Sequence, residues 1–296
     1  MYDTILVPTD GSEHAVRAAE HGAYLADLFD ATVHVVSVVA VSDAAGPFSA
    51  GGVDEAFVER LESAGLEAIE AVEDLLGDVV TETATVRGSP GEAILDYVDD
   101  HGVDLVAMGT HGRTGVRRYV AGSVAEHVVR HADVPVLTGR VTDASVLDDG
   151  YDEVLLPTDG SEAADAAVDH AVAVAAAAGA RLHAVSVINL DDVVASPDYT
   201  MPTGLLDQLQ SEAEEATGEI VDRAREAGAD AVAEVRQGYP TRDLLEYAED
   251  NEVDLVAMGT QGRTGLRRVL LGSTTERLIR RSEVPVLAVR ANREDA

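Results

Sequence analysis

Two glycine clusters, 150 residues apart, carry the chemistry most readily named in this chain. The first reads Gly109, Gly112, then nine residues, then Gly122-Ser123; the second reads Gly259, Gly262, nine residues, then Gly272-Ser273. Each follows an apolar run that ends in methionine, Met108 or Met258. A glycine admits a ligand where a Cβ would obstruct it. A Gly-Ser pair at a helix start offers free backbone N–H groups and the positive end of a helix dipole. The spacing therefore predicts an oxyanion site, with Val124 and Thr274 as the next helical residues and the Ser hydroxyls adding a bond. No lysine is needed for this, and the chain contains none.

Arg113, Arg117 and Arg118, matched by Arg263, Arg267 and Arg268, fall inside the same loops. They either steer an anion through a repelling field or form a solvated face that pairs with carboxylates. A second cluster opens each half: Pro8-Thr9-Asp10-Gly11-Ser12 and Pro157-Thr158-Asp159-Gly160-Ser161. Asp10 and Asp159 suit both turn capping and ligand contact, while Ser12 and Ser161 suit helix N-caps. No base stands in a fixed relation to either serine, so no catalytic residue is assigned. His111 is matched by Gln261, so chemistry common to both halves does not use it. The other histidines lack ligand spacing, and Asp99-Asp100 and Asp191-Asp192 read as solvated charges; no metal site is assigned.

The elements that must hold these residues come from a duplication. Residues 7–13 recur as 156–162, and 103–110 recur unchanged as 253–260. The offset drifts from 149 to 150 residues, so a whole domain is repeated, with boundaries at 1–141 and 152–292 and a polar seam at 142–151. In each copy short β-branched runs alternate with amphipathic stretches. In copy one the strands are Thr4–Pro8, Thr32–Val39, 80–86, 103–108 and 134–137. Ala15, Ala18, Gly22, Leu25 and Phe29 mark one helix face; Phe57, Leu61, Ala64, Ala68, Val72 and Leu75 mark a second. Pro90 opens a third helix and 122–131 forms a fourth. This predicts an α/β chain of two tandem doubly wound domains, each a five-stranded, mostly parallel sheet flanked by helices. Ligands of such sheets bind beyond the carboxyl ends of the strands. Segments 41–53 and 189–204 differ between the copies and are expected to be mobile, copy-specific covers.

The glycine spacing, the Pro-Thr-Asp opening, and the runs Gly112-Arg113-Thr114-Gly115 and Gly262-Arg263-Thr264-Gly265 together resemble the ATP-binding branch of the universal stress protein family. The resemblance covers nearly all of both copies and implies an adenine nucleotide alpha hydrolase-like fold. It implies an ATP-binding regulator or sensor of the stress response, with a slow ATPase or a nucleotidyl or phosphoryl transferase as the alternative. Asp10 and Asp159 would then contact the nucleoside, and Val38 and Val187 would offer backbone to the adenine. The glycines and serines of each cluster would wrap the phosphates of ATP, or of AMP or ADP, with Mg riding on them. The two copies would pair within the chain through residues 134–137 and 284–287; a further homodimer stays open.

Composition narrows the partners. Asp and Glu number 55 against 21 basic residues, all Arg, for a net charge of -34. This charge is spread along every segment and accompanies 46% hydrophobic residues, so it is not a disordered tail. It argues against nucleic acid and anionic membranes as partners and points to a halophile, where salt screens the repulsion. With no cysteine, disulfides and thiolate sites are excluded. The opening residues carry no basic-then-apolar leader, and no stretch is long enough to span a bilayer, so a cytoplasmic protein is expected.

Overall fold

The computed structural model describes residues 1–40, 55–76, 79, 81–112, 122–189, 204–261 and 271–291. The two segments expected as covers lie almost wholly outside these residues, as do Gly262 and the six loop arginines. The chain forms two compact units, Met1–Asp148 and Asp149–Ala296.

The first unit runs β1 (Thr4–Pro8), α1 (Glu13–Phe29), β2 (Thr32–Val39), α2 (Glu55–Leu76), β3 (Thr81–Arg87), α3 (Pro90–His101), β4 (Leu105–Gly109), α4 (Ser123–His131) and β5 (Val136–Gly139). Its strands lie in the order β3-β2-β1-β4-β5, and every pairing is parallel. The second runs β6 (Glu153–Pro157), α5 (Glu162–Asp165), α6 (Val168–Ala178), β7 (Arg181–Asn189), α7 (Leu205–Glu226), β8 (Asp230–Gly238), α8 (Pro240–Asp250), β9 (Leu255–Gly259), α9 (Ser273–Arg281) and β10 (Val286–Val289). Its order, β8-β7-β6-β9-β10, repeats the first and is again parallel throughout. Chain direction across each sheet reverses between the first and fourth strands of the copy. That is the switch point, beyond which ligands of such sheets bind.

The apolar runs become strands buried on both faces: Ile5, Leu6 and Val7, or Leu105, Val106 and Ala107, are fully covered. α1 buries Ala15, Ala18, Gly22 and Leu25, as its spacing predicts, and Phe29 meets Tyr2 edge-on at 5.0 Å. The buried stripe of α2 is rotated from the expected one. It uses Gly65, Ala68, Ile69, Val72 and Leu76, and Leu75 is 43% exposed. The close approach of Gly65 to β2 sets this rotation: a Cβ there would stand 3.1 Å from Ser37 Oγ. The fourth and fifth strands start two residues later than their apolar runs. Val103 N–H still closes α3 onto Val98 O, and Pro135 has no N–H to enter a ladder. In copy two the first helix is split, because Ala167 N–H bonds to Ala164 O, three residues back.

His21, buried in α1, has its Nε2 at 3.1 Å from Ser145 O, so a neutral ring donates there and holds the segment after β5. Burial pushes its pKa down to about 4. The folded state therefore binds fewer protons than the unfolded state between about pH 6.5 and 4. Stability from this residue is complete above pH 6.5 and is lost as pH falls toward 4. Denaturant unfolding of wild type and His21→Asn at constant high salt should differ by a pH-dependent amount confined to that window. Roughly 2–4 kcal/mol is expected, at about 1.4 kcal/mol per pH unit; a pH-independent difference would refute the assignment.

Candidate functional site

Three chain segments meet beyond the ends of β1 and β4. The first leaves β1 at Pro8. Thr9 is buried, its N–H bonds to Val36 O at 2.8 Å, and its hydroxyl accepts Gly11 N–H at 3.1 Å. Asp10 Oδ1 accepts Ser12 N–H at 3.0 Å. Gly11 has φ +73°, which a glycine tolerates in this turn. Ser12 caps α1, accepting Ala15 N–H at 3.3 Å and donating to His111 O at 3.3 Å. Copy two repeats the turn. Thr158 N–H bonds to Val185 O at 2.9 Å, and Thr158 Oγ1 takes Gly160 N–H at 3.0 Å. Asp159 Oδ1 accepts both Ser161 N–H at 3.1 Å and the Ser161 hydroxyl at 2.5 Å.

The second segment follows the fourth strand. The structure ties the glycines at 109 and 259 to helix packing. A Cβ on Gly109 would stand 2.7 Å from Ala15 N and from His14 C; one on Gly259 would overlap Ala163 O. Each bare Cα thus lets the first turn of the first helix lie on the strand end. Gly112 is different: it is exposed, and its Cβ would fall 2.5 Å from Asp10 Oδ2. The glycine keeps the loop pressed against that carboxylate. Met108 and Met258 have buried side chains and reach the rim only by their backbones.

The third segment is the start of α4. Gly122 is its N-cap, with no side-chain cap bond. Gly122 N–H is not itself available, since it donates to Thr110 O at 2.6 Å. Ser123, Val124 and Ala125 therefore present the N–H groups that a helix cannot satisfy internally, with Ser123 exposed and Val124 half-buried. Copy two is built alike: Gly272 caps α9 with no side-chain bond, and Gly272 N–H meets Thr260 O at 2.8 Å. Ser273 and Thr274 lead that helix.

Thr110 and Thr260 are the residues that sequence reasoning overlooked. Their carbonyls aim the fourth helix, and Thr110 Oγ1 also donates to Gly139 O at 3.2 Å. Their signal was present in the unchanged repeat 103–110 and 253–260, but a buried threonine draws no notice without its partners.

Val38 and Val187 lie where an open backbone edge is expected. Val36 O faces β1, as its bond to Thr9 N–H shows. Backbone groups alternate along a strand, so Val38, two residues on, turns its N–H and C=O to the same side beyond the end of β1. Val187 stands in the same relation to Val185 and the end of β6. His34 and His183 lie in the cores: His34 Nδ1 is 3.1 Å from Tyr97 OH, and His183 meets Tyr247 OH at 2.7 Å and Glu153 Oε2 at 2.5 Å. Among the described residues no group of three or more carboxylates and histidines is placed to hold a metal ion, and no helix is long and apolar enough to cross a membrane.

Strand order and connectivity define a doubly wound α/β domain, present twice. The chain belongs to the universal stress protein family, which matches residues 1–140 and again 150–290. A universal stress protein of Mycolicibacterium smegmatis is 30% identical over 300 residues, covering 97% of this chain and 96% of its own length. One of Methanocaldococcus jannaschii is 34% identical over 145 residues, 49% of this chain and 85% of its own length. The crystal structure of a universal stress protein from Archaeoglobus fulgidus shares the fold, with a TM-score of 0.70 at 23% identity, covering 97% of this chain and 98% of that one.

Proposed function

We propose that this chain is a cytoplasmic nucleotide-binding regulator of the stress response, and that each copy takes one ATP, or AMP or ADP, at its switch-point rim. The observation that carries this reading is the glycine-capped start of α4, without a side-chain cap, and its counterpart at α9. Backbone N–H groups there suit phosphate oxygens. Val38 and Val187 suit the edge of a base, and Asp10 and Asp159 suit a ribose hydroxyl. Gly262, Arg113 and Arg263 join the proposed set by their place in the repeat. Magnesium would ride on the phosphates, since the described residues offer no cage of their own. Regulation by occupancy fits better than turnover, because both Ser12 and Ser161 hydroxyls are engaged as helix caps.

Isothermal titration of the full chain with ATP and Mg in molar salt tests the reading. Two ATP per chain and a raised melting temperature are expected, with about 2.7 kcal/mol of stabilisation at 100-fold excess over Kd. Gly112→Val drives a side chain into the Asp10 carboxylate. Together with Gly262→Val it should abolish the heat of binding while circular dichroism stays unchanged. No heat and no melting shift for wild type would end the proposal.

A further inference from the structure

Among the described residues, the rims of the two copies differ in their titratable groups. Beside Asp10, copy one carries two imidazoles. His14, in the first turn of α1, and His111, two residues after β4, have ring centroids 5.1 Å apart and planes inclined by 38°. Copy two has Ala163 and Gln261 at these positions. The pair lies inside the candidate site. Ser12 binds His111 O, and His111 Cα is 3.8 Å from where a Cβ on Gly122 would stand. His111 thus bridges the starts of α1 and α4.

Hydrogen bonds set the tautomers. His14 Nδ1 accepts Val141 N–H at 3.0 Å, so its own hydrogen is on Nε2. The Thr110 hydroxyl has one hydrogen, directed to Gly139 O, so its oxygen accepts from His111 Nδ1–H at 3.0 Å. A proton entering the pair either displaces the Val141 bond or settles on His111 Nε2. Two imidazolium rings at this separation repel, so a second proton on the pair is disfavoured. Burial, then His111 and Arg140, hold His14 below its ordinary pKa, against the opposing pull of Glu13 and Asp10. His14 is therefore neutral at pH 7 without a ligand.

We infer that the copy-one site binds phosphate together with a proton taken up by the His14–His111 pair, whereas the copy-two site binds phosphate alone, so that only the first is tuned by pH. The inference rests on the nucleotide reading above. A polyphosphate brought to the α4 start sets negative charge near the pair, whose His14 is half-buried, and favours the imidazolium. By linkage, affinity then rises as pH falls, by up to about tenfold per pH unit for one proton. Copy two has an alanine and an amide at the matching positions, neither of which takes up a proton.

The test compares the full wild-type chain with the double variant His14→Ala/His111→Gln, which writes copy-two residues into copy one. ATP with Mg is titrated at pH 6.5 in buffers of differing ionisation enthalpy, and protonation of ATP itself cancels between the proteins. Wild type should take up more protons per chain than the variant, by roughly 0.5 to 1. From pH 7.5 to 6.0 one of its sites should tighten about threefold to tenfold relative to the other. The reverse transplant, Ala163→His/Gln261→His, should add uptake to copy two. Equal proton uptake and parallel pH profiles in wild type and variant, with ATP still bound, overturn the inference alone. Absence of ATP heat in every protein overturns the nucleotide reading itself.

Discussion

Gly259→Ala is expected to destabilise the second unit by roughly 3 kcal/mol or more, and Gly109→Ala the first by nearly as much. These are single methyl additions, and their cost comes from what the methyl meets. At 259 it overlaps the carbonyl oxygen of Ala163 and stands 2.9 Å from its carbon; at 109 it stands 2.7 Å from both Ala15 N and His14 C. These obstacles are backbone atoms in the first turn of a helix, so no rotamer change relieves them. The turn is also anchored: Ser161 caps it through Ala164 N–H at 3.2 Å, and Ser12 caps its counterpart. Relief requires the helix start to lift off the strand end, which also displaces Asp159 or Asp10. Denaturant unfolding should therefore show the large loss, and ATP binding by the affected copy should weaken with it. Gly218→Ala is the control. That glycine sits inside α7 with nothing within 4 Å of a built Cβ, so alanine there should stabilise by up to about 1 kcal/mol. A Gly259→Ala protein as stable as wild type would show that the helix start is not held where it is described.

Lowering salt should have an effect of similar size on the whole chain. With a net charge of -34, the folded surface repels itself over about 10 Å at 0.1 M salt but only about 3 Å at 1 M. The exposed ion pairs Arg87–Glu62, Arg181–Asp230 and Arg223–Asp169 offset this little, because such pairs contribute little. Thermal melts across a KCl series from 0.1 to 2 M should rise by on the order of 10 °C, a few kcal/mol for domains of this size. A melting temperature indifferent to salt would reject the halophilic reading, whatever the outcome for nucleotide.

The duplication, the strand–helix alternation and the candidate glycine clusters were legible in the amino-acid sequence. Each is a local pattern: strands such as Thr4–Pro8 and Thr32–Val39 are runs of apolar β-branched residues bounded by turn signals. The three segments that meet at the strand ends were legible, because Asp10, Gly112 and Gly122 belong to recurring short motifs. What each glycine does was not. Gly109 and Gly112 are alike in sequence, yet one admits a helix and the other a carboxylate, and that depends on atoms nearly a hundred residues away. The rotation of α2 was hidden for the same reason, since Leu75 and Leu76 are equally apolar and only the Gly65–Ser37 contact selects between them. Thr110 and His14 were passed over because a side chain's partners across a sheet leave no local mark. Local pattern determined which elements form and in what order; tertiary packing decided which face turns inward, which N–H groups are left at the rim, and that copy one alone brings two imidazoles together beside them.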